Sequence, residues 1–263
     1  MNTPHSLYVI TTPDDISAPL FTEQSAMPVV VARYTDDLDA LIRPLTEQQH
    51  GALYLRDPFN TDTFDPDLLS DIITKILAHT GSLYVVDHLK SFDEVLFEDK
   101  WNQYQTFAGY MPATRLLTPH DTIPDAGFIK KRISSRARGV VFSPEQITEP
   151  HDHYIVQEPL SIEKEFRVFV VCKDIQQQVS IRSSKTEDTK VKTAATESIS
   201  PELHKYVEQI VQQIPFDFVG LDIAQTPDGF SLIEVNRSPQ FNAYHTETGI
   251  NLAQVLCEKL TQL

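Results

Sequence analysis

Two acidic residues and an asparagine near the C-terminus lie in neighbouring apolar segments, at a spacing that would bring their side chains together. Asp222 lies in the first segment, and Glu234 and Asn236 lie in the second. The connecting residues 226–230 read TPDGF, in which the proline and the later glycine predict a hairpin with a three-residue loop. That loop pairs residue 226 with residue 230, so Asp222 faces Glu234 and Asn236 shares their side of the sheet.

These three side chains offer the chemistry of a hard metal site. Two opposed carboxylates destabilise a sheet unless something compensates their charge. Carboxylate and amide oxygens are ligands that suit Mg²⁺ better than a softer metal. The pattern therefore indicates a Mg²⁺ site or, in the simpler interpretation, two solvated acids on an ordinary hairpin. This segment alone does not decide between the two.

Composition sets the class of protein and excludes several partners. The chain has 263 residues, of which 41% are hydrophobic, enough for a core spread over two or three subdomains. Its net charge of −15 argues against nonspecific nucleic-acid binding and against an anionic membrane surface as partners. The N-terminus lacks a signal-peptide pattern, and no apolar run approaches the roughly 20 residues of a membrane span. With Cys172 and Cys257 as the only cysteines, we expect a cytoplasmic protein with two buried thiols.

Basic residues are nonetheless concentrated in two short stretches. Local positive charge in an acidic protein suggests a small, highly charged anion such as a nucleoside triphosphate, and a solvated basic face is the alternative. The chain has eight glycines and neither G-x-x-x-x-G-K nor G-x-G-x-x-G, so lysine and arginine side chains would supply most of the charge. The two stretches contain Lys130, Lys131, Arg132, Arg136 and Arg138, and then Arg182, Lys185, Lys190 and Lys192.

The first hundred residues form the first group of elements that must position this chemistry. Short runs rich in β-forming residues alternate there with helical periodicity, which predicts a small α/β unit with a mostly parallel sheet. Asp65-Pro66 is a typical helix start, and apolar residues recur at helical spacing after it. The predicted strands of this unit are residues 7–10, 29–32, 53–55 and 83–86.

The remainder of the chain is also mixed. Residues 183–200 contain many Ser and Thr and hardly any large apolar side chains, so we expect a mobile loop there. The predicted strands are 115–117, 127–130, 139–142, 154–157, 166–171 and 179–182, and the predicted helices are 97–109, 201–214 and 252–263.

The order of these elements and motifs resembles the ATP-grasp superfamily, specifically its carboxylate–amine ligase type, over about residues 95–263. The most specific motif is the metal signature D…E-x-N-x-x-P-x-F, which Asp222 and residues 234–241 match. The wording EFRVFV at residues 165–170 is also similar to a partly phage-associated clade thought to modify peptides. Four weaker motifs precede the metal signature in the expected order: Glu98-Asp99-Lys100 followed by residues 109–114, Phe128-Ile129-Lys130 with Gly139-Val140, residues 156–160, and Glu165-Phe166-Arg167-Val168.

The resemblance implies an α/β fold, with α+β character in the nucleotide-binding lobes. It implies a short N-terminal α/β domain at residues 1–110, a small lobe covering the nucleotide at 111–160, and a C-terminal lobe with the metal site at 161–263. The N-terminal domain is short for the ligase families, so the position of an acceptor site is not carried over.

The resemblance also implies roles for individual residues around the nucleotide. Lys130 would bind the α- and β-phosphates, and Lys100 would help from the neighbouring lobe. Arg182 would stabilise the transferred phosphoryl group with its permanent charge and planar donors, so Lys130 and Arg182 are the implied catalytic residues. The other nucleotide contacts are assigned to Gln157, Glu158 and Leu160 at the adenine hinge, to Glu165 at the ribose, and to Arg167 beside it.

Asp222, Glu234 and Asn236 would hold one or two Mg²⁺ ions that bridge the phosphates. One departure from the family concerns the loop over the phosphates, which is usually rich in glycine. Ala137 occupies a usual glycine position here, so Arg136 or Arg138 would have to substitute for backbone contacts.

The activity implied is an ATP- and Mg²⁺-dependent ligase that joins a carboxylate to an amine through an acyl phosphate. Its substrates would be small molecules or peptides, with no nucleic acid or membrane as partner. Two alternatives remain open: a kinase of the same fold that phosphorylates a hydroxyl, and a noncatalytic interaction protein on an ATP-grasp scaffold. The sequence names neither the acid nor the amine, and it does not indicate the oligomeric state.

Overall fold

Three β-sheets follow one another along the part of the chain that the structure describes. This computed structural model describes residues 4–23, 25, 27–47, 50–56, 66–90, 99–119, 128–134, 140–141, 146–182 and 193–263. Within these ranges, no helix is both long enough and apolar enough to cross a membrane.

The N-terminal sheet is parallel throughout. Its elements are β1 (Leu7–Thr11), β2 (Val29–Arg33), α1 (Leu38–Glu47), β3 (Ala52–Leu55), α2 (Pro66–Ala78) and β4 (Tyr84–Val85). The strand order is β2-β1-β3-β4, which confirms the predicted parallel sheet. The central strands β1 and β3 are fully buried, as expected where both faces of a parallel sheet are covered. The prediction for residues 83–86 was too long, because the chain turns after Val85 through left-handed angles at Asp87 (φ 66°) and His88 (φ 54°).

The second sheet is small and antiparallel. Its elements are α3 (Lys100–Phe107), β5 (Thr114–Leu116), β6 (Phe128–Lys131), β7 (Val140–Val141) and β8 (Tyr154–Gln157), with the strand order β5-β8-β6-β7. Helix α3 begins after Asp99, whose carboxylate accepts a hydrogen bond from the Trp101 amide at 2.9 Å. The predicted helix started earlier, at residue 97, but residues 91–98 lie outside the described ranges.

The third sheet is the largest and carries the hairpin singled out above. Its elements are β9 (Lys164–Val171), β10 (Asp174–Ile175), β11 (Gln178–Arg182), β12 (Thr193–Ser198), α4 (Pro201–Val211), β13 (Phe218–Thr226), β14 (Gly229–Asn236), α5 (Asn242–Thr248) and α6 (Leu252–Leu260). The strands run in the order β12-β11-β9-β13-β14, and every pairing is antiparallel. The expected pairing of β11 with β9 is confirmed.

The alternation of side chains along β9 explains how one sheet both builds the core and carries charge. Phe166 and Val168 belong to the apolar core that also includes Val207 of helix α4. Their neighbours Glu165 and Arg167 point to the opposite face, because successive side chains of a strand alternate. Glu165 and Arg167 therefore lie on the face of β9 opposite Phe166 and Val168.

The prediction of a mobile loop at 183–200 was wrong for its second part. Residues Thr193–Ser198 form β12, an edge strand paired antiparallel with β11. The segment lacks large apolar residues, but an edge strand needs a ladder on only one side, and β-branched threonine favours the extended backbone. Residues 183–192 lie outside the described ranges.

The predicted length of the hairpin loop was also wrong, although the pairing of Asp222 with Glu234 that was derived from it was right. The strands β13 and β14 meet in a two-residue turn that pairs Thr226 with Gly229, which has φ +122°. A register shift between Asp222 and Ile223 then adds one residue on β14, so Asp222 still lies opposite Glu234. The predicted facing of the two carboxylates is thus confirmed.

The three sheets lie within residues 7–85, 114–157 and 164–236. The domain boundaries predicted at residues 110 and 160 fall between sheets. They stay predictions, because the secondary structure alone does not divide the chain into independent units.

Candidate functional site

The register shift in the hairpin decides which face carries the carboxylates. Near the turn, Ile223 pairs with Leu232, and a regular ladder would continue by pairing Asp222 with Ile233. Glu234 would then point to the apolar face, because a slip of one residue moves every side chain across the sheet. The bulge restores Glu234 and Asn236 to the face of Asp222. The Asn236 amide nitrogen lies 3.4 Å from Asp222 Oδ2.

Two arginines from neighbouring strands bind the Asp222 carboxylate. Arg167, which pairs with Asp222 across β9 and β13, donates from Nε to Oδ1 and from Nη2 to Oδ2, both at 2.7 Å. Arg182 reaches Oδ2 from β11, through Nη1. Such forked arginine–carboxylate contacts are strong and directional. The Asp222 side chain is only 4% exposed, so these contacts neutralise a nearly buried charge.

The same two strands place Glu165 beside Arg182. The two residues are register partners, and Arg182 Nε lies 3.6 Å from Glu165 Oε1. Burial alone would lower the pKa of Arg167, but the Asp222 carboxylate, together with those of Glu234 and Glu165, outweighs it and raises that pKa above its ordinary value. The face therefore holds a compact group of two arginines and three acids: Arg167, Arg182, Glu165, Asp222 and Glu234.

Lys100 connects this group to the second sheet. Its Nζ atom donates to the Ser134 carbonyl at 2.7 Å and lies 3.3 Å from Glu234 Oε1. The start of helix α3 is tied to the same sheet, because Asp99 accepts from Arg132 Nη2 at 2.6 Å and the Lys100 amide donates to the Arg132 carbonyl. The structure thus brings the predicted Lys100 next to the predicted metal ligands.

Lys130 and the predicted adenine hinge, residues 157–160, form a separate group. Lys130 Nζ donates to Gln157 Oε1 at 2.7 Å, and Gln157 Nε2 donates to Thr114 Oγ1 at 3.1 Å. The Glu158 amide donates to the Ala113 carbonyl, and Pro159 has no N–H, so Leu160 carries the next main-chain donor of the hinge.

Part of the predicted phosphate-binding region lies outside the described ranges. Ala137, with Arg136 and Arg138, lies outside the described residues, as do Lys185, Lys190 and Lys192 of the second basic stretch. Ser134 and Val140, which flank the predicted phosphate loop, are described.

The donor set on the charged face fits Mg²⁺. Among the described residues, no cluster of three or more His, Cys, Asp and Glu is arranged to hold a metal. The face instead offers two carboxylates, Asp222 and Glu234, and the Asn236 side chain, whose oxygen remains available if its nitrogen faces Asp222. Mg²⁺ in phosphate sites typically takes one or two carboxylates and completes its shell with phosphate oxygens and water.

Sequence reasoning missed a second set of charged residues, which is buried where the N-terminal sheet meets the segment after β14. Arg237, directly after Asn236, is fully buried and lies 3.0 Å from Asp87 Oδ2. Arg56 is fully buried too, and pairs with Asp15 at 2.9 Å. The only sequence signal for these residues was the position of Arg237 inside the metal signature.

Comparison with known proteins identifies the family. Residues 70–256 match the model of the third family in one clade of ATP-grasp domains, and the chain belongs to this family. The resemblance inferred from the motifs is thereby confirmed at the level of family and fold. Comparison with curated proteins gave no significant match.

Several solved structures share the fold over nearly their whole length. The ATP-grasp ligase PsnB complexed with precursor peptide PsnA2 and AMPPNP has 17% identity and a TM-score of 0.64, covering 100% of this chain and 98% of that chain. The macrocyclase MdnB from Microcystis aeruginosa MRC has 15% identity and a TM-score of 0.63, covering 98% and 99%. A RimK domain ATP-grasp protein from Sphaerobacter thermophilus DSM 20745 has 14% identity and a TM-score of 0.67, covering 96% and 99%.

Proposed function

We propose that this protein is an ATP- and Mg²⁺-dependent ligase that joins a carboxylate to an amine. The observation that carries the proposal is the facing pair Asp222 and Glu234, with Asn236 beside them, on the charged face of the ATP-grasp sheet. Membership of the ATP-grasp family gives this face its context. The fold relatives include a ligase complexed with a precursor peptide and a macrocyclase, which favours a peptide as one substrate.

The chain's own residues divide the work of such a site. Asp222, Glu234 and Asn236 would hold Mg²⁺, which when bound neutralises phosphate charge. Arg182 and Lys100 lie next to these ligands, where their charges would meet the transferred phosphoryl group.

The hinge would receive the other end of the nucleotide. Lys130 extends from β6 to the hinge residue Gln157, at a position suited to the inner phosphates. The Leu160 amide would meet the edge of the base and Glu165 the ribose. The hinge and the charged face would thus hold the two ends of one ATP molecule.

The reaction proceeds in two balanced steps. The carboxylate oxygen of the first substrate attacks the γ-phosphorus, and the bond to the bridging oxygen breaks with release of ADP. The amine then attacks the carbonyl carbon of the acyl phosphate, phosphate leaves, and the amine loses a proton. The net product is lighter than the two substrates together by one water.

The test is a product analysis with pools of amino acids and short peptides. We expect ADP and free phosphate in equal amounts only when an acid and an amine are both present, together with a condensed product in the mass spectrum. Asp222→Asn and Glu234→Gln should each lower turnover by roughly 100-fold or more, because a metal ligand is lost. Asp228→Asn, at the tip of the same hairpin, is the matched control and should retain activity.

Two outcomes would contradict the proposal. A single substrate that keeps the phosphoryl group would indicate a kinase. Unchanged Mg²⁺–nucleotide affinity in both Asp222→Asn and Glu234→Gln would remove the metal assignment.

A further inference from the structure

The segment that follows Asn236 is held by residues of the N-terminal sheet. Arg237 donates from Nη1 to the Leu55 carbonyl at 2.8 Å, and its own carbonyl accepts from Tyr54 Oη at 3.2 Å. Two residues later, the Pro239 carbonyl accepts from Arg56 Nη2 at 3.1 Å. Strand β3 and the residue after it therefore contact the segment directly after the proposed metal ligand.

Asp87 joins this segment to the neighbouring strand. One carboxylate oxygen lies 3.0 Å from Arg237 Nη1, and the other accepts from the amides of Asp217 and Phe218 at 2.9 and 3.1 Å. In turn, Asp217 Oδ2 accepts a hydrogen bond from the Asp87 amide at 2.8 Å. Asp87 thus connects the start of β13 to the end of β14.

The backbone geometry indicates that Asp87 and the segment after Asn236 are held in fixed positions by their surroundings. Asp87 has φ +66°, an angle that non-glycine residues adopt at a cost, and such strain persists where surrounding contacts over-determine it. On the other side of the segment, a Cβ atom at Gly220 would lie 2.8 Å from Pro239 Cβ. The segment after β14 is therefore packed against Gly220 of β13 without space for even a methyl group.

We propose that Asp87 is a positioning residue for the metal site, acting through Arg237 to hold Asn236 on the face of Asp222. This inference rests on the proposed function, because it assumes that Asn236 is a metal ligand. The contact is indirect: Asp87 touches Arg237, and Arg237 is the next residue after Asn236. Partners behind metal ligands typically alter metal affinity when they are removed, since they fix the orientation of the ligands.

Asp87→Asn is the most conservative variant. An amide keeps the size of the side chain and one oxygen for the amides of Asp217 and Phe218, but it loses the charge that faces Arg237. Because an unpaired buried arginine can prevent folding, the double variant Asp87→Asn/Arg237→Gln removes both charges. Tyr84→Phe is the control, since it removes a 2.9 Å hydrogen bond to Asp217 in the same network and leaves the contact with Arg237 intact.

The readouts are Mn²⁺ affinity in the presence of ADP, measured by electron paramagnetic resonance, and thermal stability. We expect the Asp87→Asn variant and the double variant to bind Mn²⁺ at least about tenfold more weakly than the unmodified chain. The Tyr84→Phe variant should melt earlier but bind Mn²⁺ normally. A merely structural role would let the double variant recover affinity together with stability.

Two results would overturn the positioning role while leaving the proposed function standing. One is normal Mn²⁺ affinity in the folded double variant, and the other is an equal loss of affinity in Tyr84→Phe. Failure of the unmodified chain to bind Mn²⁺ with ADP would instead contradict the proposed function itself, and the positioning role with it.

Discussion

Asp222 has more partners than a simple metal ligand would need. Its carboxylate accepts from Arg167 and Arg182, while it is also the proposed ligand of Mg²⁺. A cation and a guanidinium group compete for the same oxygens, so loading the metal must weaken at least one arginine contact. Arg182 is the candidate to leave, because Arg167 makes the two-pronged contact.

Replacing Arg182 should change metal affinity and turnover in opposite directions. We expect Arg182→Gln to raise Mg²⁺ affinity without nucleotide by about tenfold, since a hydrogen bond to a charged group contributes about 1.5 kcal/mol or more. Turnover should fall in the same variant, because the phosphoryl group loses its cation. Calorimetric titration with Mg²⁺ measures the first effect.

Arg115→Gln, on an exposed position of β5, is the matched control for this measurement. It should change neither quantity. Weaker Mg²⁺ binding in Arg182→Gln would mean that the arginine supports the metal site and does not compete with it.

At the scale of elements, the Asp99 side chain helps to fix helix α3 to the second sheet. Asp99 caps the helix through the Trp101 amide and also pairs with Arg132. Asp99→Ala removes both contacts, whereas Asp99→Asn retains a capping oxygen and loses only the ion pair. We therefore expect Asp99→Ala to lower the free energy of unfolding by about 1 kcal/mol more than Asp99→Asn does.

Urea denaturation of the two variants measures this difference. Equal losses would show that the ion pair with Arg132, and not the helix cap, provides the contribution of Asp99 to stability. Glu163→Ala, an exposed acid outside any helix, controls for the general loss of negative charge.

Local sequence patterns were sufficient to predict most helices and strands, but they were insufficient to predict the register of the hairpin. The alternation of apolar residues and the helix caps predicted the parallel sheet, the pairing of β9 with β11, and helix α4, because those signals lie within a few residues of one another. The hairpin shows the limit: a turn of the wrong length and an unforeseen bulge compensated each other. Edge strand β12 was missed because a polar segment can still complete a ladder when a neighbouring strand supplies the partners.

At the scale of the whole molecule, the contacts that sequence reasoning missed are the long-range ones. Arg237 meets Asp87 across 150 positions of the chain, and Arg56 meets Pro239 across 183. Nothing in the local sequence of Asp87 indicates this pairing, since it depends on how two sheets pack. The candidate ligands were predictable because they lie within one hairpin.

Asp87 should also shape the pH dependence of stability. Burial raises the pKa of Asp87 to about 6, the Asp217 carboxylate adds to the rise, and Arg237 opposes it. The folded chain therefore binds this proton more tightly than the unfolded chain, so the free energy of unfolding falls as the pH rises from about 4 to 6. The loss amounts to about 3 kcal/mol by linkage, and no further change from this group is expected above that window.

Comparing urea unfolding of the unmodified chain and Asp87→Asn across this window isolates the contribution. The free energy of unfolding of the unmodified chain minus that of Asp87→Asn should decline from pH 4 to 6 and then level off. A difference that rises with pH would mean that the pKa of Asp87 is lowered on folding, and that its hydrogen bonds outweigh its burial.

Two different hairpins would present the same pair of carboxylates. The tip and the site are paired in registers that differ by one residue, and the bulge next to Asp222 absorbs the difference. A longer turn without a bulge would deliver the same facing of Asp222 and Glu234, as would deletion of Ile233, the residue left over in the ladder. The length of the tip is thus free to change in evolution or by design, provided that the ladder gains or loses its bulge in step.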